Sequence, residues 1–158
     1  MPHRLRPPHL KHGAVQLTGW QRRAVYAATG VLTLSGLAWL LVALFAPPDW
    51  PAAGPAKLWS MRAHAAAVLV TLVMLGSLMP VHIRNGWLIR RNRSSGAVLT
   101  LAATALAITG YLLGYAPEAL ARPWAGWLHW AVGAAAPLLL MGHVWLGHRA
   151  RRLIHPGR

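Results

Sequence analysis

Four long stretches of this 158-residue chain contain no Lys, Arg, Asp or Glu. Each is at least as long as the roughly 20 residues that a helix needs to cross the hydrocarbon core of a bilayer. None of them repeats polar positions every three or four residues, as a water-soluble amphipathic helix would. The pattern predicts an all-α integral membrane protein with four transmembrane helices in one domain. The segments are Ala24–Pro48, Ala63–Ile83, Ser94–Pro117 and Pro123–His148.

Basic residues gather at particular ends of these segments. The chain carries sixteen Lys and Arg against two acidic residues, which gives a formal net charge of +14. Most of them precede the first segment, lie between the second and third, or follow the fourth; the other two connections hold only Lys57, Arg62 and Arg122. By the positive-inside rule we expect both termini and the middle connection to be cytoplasmic. This distribution favours contact with anionic lipid headgroups and gives no reason to expect nucleic acid.

The connections are short, so consecutive helices are predicted to be antiparallel neighbours in an up-down bundle with both termini inside. The second and fourth helices are then parallel to each other. Residues 49–60 and 116–126 contain Pro, Gly and Trp and are predicted to be turns at the outer surface. Residues 1–20 and 150–158 are predicted to be basic cytoplasmic tails that flank a transmembrane domain at 21–149. The histidines of the first tail, His3, His9 and His12, are interpreted as solvated.

Four histidines lie inside the second and fourth segments, where an imidazole is costly unless the protein uses it. His64 and His129 are predicted to begin their helices at the outer side, and His82 and His143 lie towards the inner side. Two layers result, each with one imidazole from each helix. Two neutral imidazoles that face each other across a gap are suitable ligands for the iron of a haem. The absence of cysteine excludes covalent c-type haem and iron–sulfur clusters within this chain.

The spacing of the histidines supports one layer better than the other. Fourteen residues separate His129 from His143, nearly a whole number of helical turns, with a rise of about 21 Å. Eighteen residues separate His64 from His82, five full turns, with a rise of about 27 Å, so the second helix overshoots the fourth by about 6 Å. We expect a kink at Pro80 or a relative tilt of the two helices to absorb this difference.

An alternative partner for His82 is His148, nineteen residues after His129. Its height matches His82 better, but it points about 100° away from the face of His129, which favours His143 as the ligand. His148 and His155 are expected in the basic headgroup layer.

Several motifs resemble a known family. The stretch from Trp127-Leu128-His129-Trp130 to Gly142-His143-Val144-Trp145 resembles the last haem-binding helix of the b-type cytochrome subunits of respiratory nickel–iron hydrogenases and formate dehydrogenases. Met61-Arg62-Ala63-His64 resembles the opening of their second helix, and Arg22-Arg23 through Leu34-Ser35-Gly36 resembles their first. The resemblance covers roughly residues 20 to 150. The stretch around His82, Val81 to Trp87, departs from the hydrogenase pattern and is similar to smaller four-helix cytochrome b-like proteins.

This resemblance implies a di-haem b-type cytochrome of the bacterial cytoplasmic membrane, with His64, His129, His82 and His143 as the iron ligands. It also implies two partners: a redox protein at the outer face, either a dehydrogenase subunit or a cytochrome c, and a quinone near the inner face. The chain itself shows no nucleophile–base–acid set and no Gly-rich phosphate loop, so substrate chemistry is expected in a separate subunit.

Three arginines and one polar cluster complete the predicted site. Arg62, Arg122 and Arg84 lie near the histidine layers and are candidates to pair with haem propionates, although helix-end arginines also extend commonly to headgroups. A quinone pocket is expected near His82, Arg84, Asn85 and Trp87.

Two other classes of function remain open at this point. One is a haem-free membrane anchor for a soluble partner. The other is a small transporter or proton pathway, against which the scarcity of intramembrane carboxylates weighs, because Asp49 and Glu118 both fall in predicted loops.

Overall fold

The computed structural model describes residues 17–88 and 92–152, and it leaves undescribed the side chains of Val81, 118–122 and 151–152. Within the described ranges most of the chain is helical, and none of it forms a β-strand. The helices are α1 (Gly19–Phe45), α2 (Ala53–Leu78), a π-helical turn that we name π1 (Met79–Ile83), α3 (Arg84–Leu88), α4 (Arg93–Tyr115) and α5 (Glu118–Arg152). Four of them, α1, α2, α4 and α5, are long and apolar enough to cross a membrane. The predicted all-α membrane protein with four spanning helices is therefore confirmed at this level.

The helices pack as two pairs, α1 with α2 and α4 with α5. Between the pairs, the main close approach of the described backbone is that of α1 to α5. The buried residues of these helices are mostly small: Ala28 and Ser35 in α1, Ala67 in α2, and Ala102 and Thr109 in α4. Small side chains let helix backbones approach closely where packing, and not the hydrophobic effect, drives association.

Large apolar side chains mostly point away from the helix contacts. Leu34, Leu69, Val73 and Leu101 are each at least 67% exposed, and no large side chain in the described ranges is fully buried. A water-soluble protein would not present so much continuous apolar surface. A lipid bilayer is the environment that suits this exterior.

All four spanning helices begin earlier than the hydrophobic pattern predicts, and α2 does so by the most. α2 begins at Ala53, ten residues before the predicted segment, so Pro55 and Trp59 are helical and do not form a turn. Pro55 lies in the first turn, where its missing N–H is not needed. α5 likewise begins at Glu118 and includes Pro123. The prediction that His64 and His129 begin their helices is therefore wrong: each lies eleven residues after the first residue of its helix.

The end of α2 carries the distortion that the histidine spacing requires. Met79–Ile83 forms the π-helical turn π1, which includes both Pro80 and His82. A π turn takes one more residue per turn than an α-helix, so it advances less per residue and also rotates the side chains that follow. The wider turn at Pro80 therefore absorbs part of the difference in rise, and the relative tilt of the two helices is left to supply the rest.

The ends of the chain lie largely outside the described residues. This applies to most of the predicted tails, including His3, His9, His12 and His155. The part of the first tail that is described supplies the cap of α1: the side chain of Thr18 accepts from the backbone N–H of Gln21, and the side chain of Gln21 accepts from the backbone N–H of Thr18.

Candidate metal centres: two facing histidine pairs

The four membrane histidines meet in two pairs. The ring centres of His64 in α2 and His129 in α5 are 6.3 Å apart, with an interplanar angle of 61°. The ring centres of His82 in π1 and His143 in α5 are 6.2 Å apart, with an interplanar angle of 82°. All four side chains are half-buried. Each pair thus joins the first helical hairpin to the second at a point where the structure shows no close packing of α2 on α5.

A hydroxyl and a carbonyl of α1 fix the orientation of His64. Its Nδ1 lies 3.0 Å from Ser35 Oγ and 3.1 Å from the carbonyl oxygen of Leu32. Because a carbonyl oxygen only accepts, this network assigns the ring proton to Nδ1. In the neutral ring, Nε2 is then the unprotonated nitrogen, which is the form that binds a metal.

His129 is held by α4 in the same way. Its Nδ1 lies 2.9 Å from Thr109 Oγ1, and that hydroxyl donates its own hydrogen to the carbonyl of Ala105 at 2.6 Å. The hydroxyl oxygen is therefore free to accept from Nδ1–H. The tautomer assigned to His129 is accordingly the same as that of His64.

His143 is held by the other end of α4. Its Nδ1 lies 3.0 Å from Ser95 Oγ, and this hydroxyl donates to the carbonyl of Asn92 at 3.2 Å. Asn92 itself has a positive φ of 53° and precedes the first residue of α4. Asn tolerates this left-handed conformation better than most residues do.

A glycine follows each of these three hydroxyl residues and lies against the imidazole. A Cβ added to Gly36 would lie 3.4 Å from Cε1 of His64, and one added to Gly110 would lie 3.3 Å from Cε1 of His129. A Cβ on Gly96 would lie 3.7 Å from Cε1 of His143. We name each hydroxyl residue with its following glycine a hydroxyl–glycine seat: Ser35–Gly36, Ser95–Gly96 and Thr109–Gly110.

His82 has no such seat. Its Nδ1 is buried and has no hydrogen-bond partner in the part of the chain that the structure describes. It is the one nitrogen or oxygen atom of a buried or half-buried described side chain in this condition. The two pairs therefore differ: both rings of the His64–His129 pair are held from behind, whereas only one ring of the His82–His143 pair is.

The geometry of each pair fits a metal ion bound between two imidazoles. No described residue forms a hydrogen bond with Nε2 of any of the four rings. With metal–nitrogen bonds of about 2.0–2.1 Å and ring bonds of about 1.33 Å, two imidazoles that bind one metal from opposite sides in a straight line have ring centres about 6.3 Å apart. The observed 6.3 and 6.2 Å agree with this spacing. The donor set, two neutral imidazoles on opposite sides, suits the axial positions of a haem iron.

The predicted arginines do not all join these pairs. The side chain of Arg62 is exposed, and its guanidinium lies 5.0 Å from the centre of the Trp59 ring. Arg84 is exposed. The side chain of Arg122 lies outside the described residues.

In the region proposed for a quinone, the structure shows a contact between Arg93 and Trp87. Arg93, at the start of α4, donates from Nε to the carbonyl of Trp87 at 2.6 Å and stacks 5.5 Å above the centre of its ring. This contact joins α3 to α4. His148, the alternative partner of His82, is exposed and lines an open groove with Tyr26 and Trp145 between α1 and α5.

The seats are the part of the site that the sequence analysis missed. One signal for them exists: Ser95 and Thr109 in α4 are fourteen residues apart, the same spacing as His129 and His143 in α5. Two antiparallel neighbours with equal spacings bring each hydroxyl to one imidazole.

Comparison of the chain with protein families, curated proteins and solved structures found no match. The likeness to b-type cytochromes therefore depends on the quoted motifs alone.

Proposed function

We propose that this chain is a di-haem b-type cytochrome of a bacterial cytoplasmic membrane, which carries electrons between a partner redox protein and the quinone pool. The observation that carries the proposal is the pair of 6.3 and 6.2 Å ring separations, in two places that span the same two helical hairpins. A single close pair of histidines has many explanations. Two pairs with the spacing of a shared metal are much harder to explain by packing alone.

The residues of the chain have three tasks in this proposal. His64 and His129 hold one iron, and His82 and His143 hold the other. The hydroxyls that bond Nδ1 of three of these rings hold Nε2, the metal-binding nitrogen, on the side of the ring that faces away from the helix carrying the hydroxyl. A haem held by two imidazoles would supply a one-electron carrier without an open place for substrate, which suits electron transfer better than substrate chemistry.

The membrane orientation belongs to the same proposal. The distribution of Lys and Arg favours an up-down bundle with both termini in the cytoplasm. The His64–His129 pair then lies towards the outer face and the His82–His143 pair towards the inner face. Electrons would pass between a dehydrogenase subunit or a cytochrome c outside and a quinone at the inner side, in either direction.

Arg62, Arg84 and Arg122 are the proposed partners of the haem propionates. A guanidinium is well suited to a carboxylate because it offers paired N–H donors in a plane. Arg62 would have to leave its position over Trp59, a movement that an exposed side chain makes at little cost.

A visible spectrum of the purified full-length chain tests this function. We expect a Soret band that sharpens and shifts on reduction with dithionite, and a pyridine haemochrome assay that gives two haems b per chain. The absence of a Soret band after expression with sufficient haem would favour a haem-free anchor or transporter. One haem per chain would contradict the two-centre version.

Substitution of single histidines shows which residues bind the haems. We expect His129→Ala and His143→Ala each to lower the haem content from two per chain towards one. His148→Ala is the matched control, because His148 lies on the same helix, is exposed and belongs to neither pair. Loss of haem in this control would point to a general effect of removing histidine from α5.

A further inference from the structure

We infer that the three hydroxyl–glycine seats are positioning elements for the histidine ligands, and that the missing fourth seat makes the His82–His143 pair the weaker of the two haem sites. This inference rests on the proposed function and goes one step further: it ranks the two sites and names the residues responsible.

The seats are more specific than ordinary helix hydroxyls. Ser and Thr in transmembrane helices often bond a carbonyl of the preceding turn, as Thr33, Thr71 and Thr104 do here. At a seat the hydroxyl makes this bond and also accepts from an imidazole Nδ1. The following glycine leaves room for the ring, whose Cε1 lies 3.3 to 3.7 Å from where a Cβ would be.

The dipeptide by itself does not make a seat. Thr29–Gly30 in α1 has the same composition, and its hydroxyl donates to the carbonyl of Val25 at 2.8 Å. Nothing lies within 4 Å of a Cβ added to Gly30, and no histidine in the described ranges forms a hydrogen bond with Thr29. A seat therefore requires a histidine on the neighbouring helix, and Thr29–Gly30 provides a matched control within the same chain.

The position of the missing seat can be read from the register of the helices. In α4, the seat of His143 precedes the seat of His129 by fourteen residues. α1 packs on α2, the histidines of α2 and π1 are eighteen residues apart, and the hydroxyl–glycine dipeptide nearest that spacing before Ser35–Gly36 is Thr18–Gly19. Its hydroxyl belongs to the cap of α1, and nothing lies within 4 Å of a Cβ added to Gly19, so it holds no described imidazole. The side chain of Gln21 is already engaged with Thr18 in the helix cap.

The surroundings of His82 are consistent with the absence of a fourth seat. Its Nδ1 has no partner in the described structure, and it lies in the widened turn π1, not in a regular α-helix. A metal-bound neutral imidazole carries its proton on Nδ1, so His82 would present a buried donor without an acceptor whenever Nε2 binds iron. A bond to iron would fix the ring, so a bound His82 could not turn Nδ1 towards a partner, whereas a released ring could. We therefore expect the His82–His143 site to release its haem first.

One experiment measures the hydrogen bonds between the seats and the histidines, and it does not require bound haem. The full chain, labelled with ¹⁵N-histidine, is reconstituted in bilayers of phosphatidylethanolamine and phosphatidylglycerol, reduced, and examined by solid-state NMR. We expect an Nδ1–H signal with a hydrogen-bond shift for His64, His129 and His143, and a weaker hydrogen bond for His82. Ser95→Ala should move the signal of His143 alone, Ser95→Thr should restore it, and Thr29→Ala should move none. An unchanged His143 signal in Ser95→Ala would refute the positioning role.

A second experiment ranks the two sites. The purified holoprotein is mixed with excess apomyoglobin, and haem transfer is followed at the Soret band. Two phases are expected, with the faster at least about tenfold faster than the slower, since loss of an outer-shell partner typically costs 10–100-fold in metal affinity. The variant His143→Ala should lack the fast phase, and His129→Ala the slow one. Equal rates, or a fast phase that disappears in His129→Ala, would overturn the ranking.

The two experiments also separate this inference from the proposed function. If the pyridine haemochrome assay gives two haems while the transfer rates are equal, the cytochrome proposal stands and the ranking fails. If no haem is present, the NMR measurement still decides whether the hydroxyls hold the three imidazoles.

Discussion

The His64–His129 pair and the His82–His143 pair have nearly the same ring separation but different support. In the first pair a hydroxyl stands behind each ring, from α1 and from α4. In the second pair only His143 has one, and Nδ1 of His82 is buried without a described partner. A close pair of imidazoles therefore does not by itself define a strong site, because the neighbouring helices decide how firmly each ring is held.

The free-energy cost of leaving Nδ1 of His82 without a partner is large enough to change the affinity of a binding site. A buried donor without an acceptor costs about 1–3 kcal/mol, and 1.4 kcal/mol corresponds to about a tenfold change in an equilibrium constant. This penalty falls on His82 alone among the four rings. The two sites can therefore differ in affinity by an order of magnitude or more even though their ring geometry is so similar.

The largest expected effect comes from comparing the two ligands within the weaker pair. His143→Ala leaves only His82, which has no seat, so we expect this site to lose its haem almost completely. His82→Ala leaves His143 on Ser95–Gly96, so we expect part of the haem to remain with one open axial position. The measurement is haem content per chain, together with the spectral change of the reduced protein on adding carbon monoxide.

The control for this comparison is the other pair. His64→Ala and His129→Ala each leave a ring with its seat, so their remaining haem contents should be similar. A larger loss in His82→Ala than in His143→Ala would contradict the asymmetry within the second pair.

The next effect in size comes from the glycines. In Gly110→Ala the new Cβ would meet His129 at 3.3 Å, and in Gly36→Ala it would meet His64 at 3.4 Å, so each ring must shift by a few tenths of an ångström. We expect these variants to release haem from the His64–His129 site up to about tenfold faster, as outer-shell changes do. Gly96→Ala, at 3.7 Å, should have little effect on His143.

Gly30→Ala is the matched substitution for this series, because it lies in the same helix as Gly36 and its new Cβ meets nothing within 4 Å. The measurement is the rate of haem transfer to apomyoglobin. An equal acceleration by Gly30→Ala and Gly36→Ala would show that helix propensity, and not contact with the imidazole, causes the change.

Much of this fold was accessible from the sequence, since four apolar segments predict four spanning helices and the structure contains them. The starts of α2 and α5 were not, because Pro55 and Pro123 are typical of turns and yet are accommodated here within helices. Near Pro80 the spacing indicated that a distortion was needed, and backbone geometry decided that it is a π turn.

Helix periodicity in the sequence predicted which histidines would pair, but it did not predict the hydroxyl–glycine seats. A Ser or Thr before a Gly is common in membrane helices, and Thr29–Gly30 shows that the dipeptide also occurs without a histidine beside it. Only the packing of α1 on α2 and of α4 on α5 selects the three dipeptides that hold an imidazole. A single sequence does not specify how each helix is rotated about its own axis relative to its neighbour, and this rotation decides which dipeptides face an imidazole.

The smallest expected effect distinguishes two seats by their number of acceptors. Ser35→Ala removes one acceptor from Nδ1 of His64, but the Leu32 carbonyl at 3.1 Å remains. Ser95→Ala removes the single acceptor found for His143 among the described residues. An internal hydrogen bond contributes about 0.5–1.5 kcal/mol, so we expect haem release to accelerate several-fold in Ser95→Ala and by less than about threefold in Ser35→Ala. Thr104→Ala, which removes an exposed hydroxyl bonded only to its own helix, should leave both rates unchanged. A greater effect of Ser35→Ala than of Ser95→Ala would mean that the Leu32 carbonyl does not act as an acceptor for His64. The two histidine pairs would then differ less in how firmly their rings are held than the hydrogen bonds of the structure indicate.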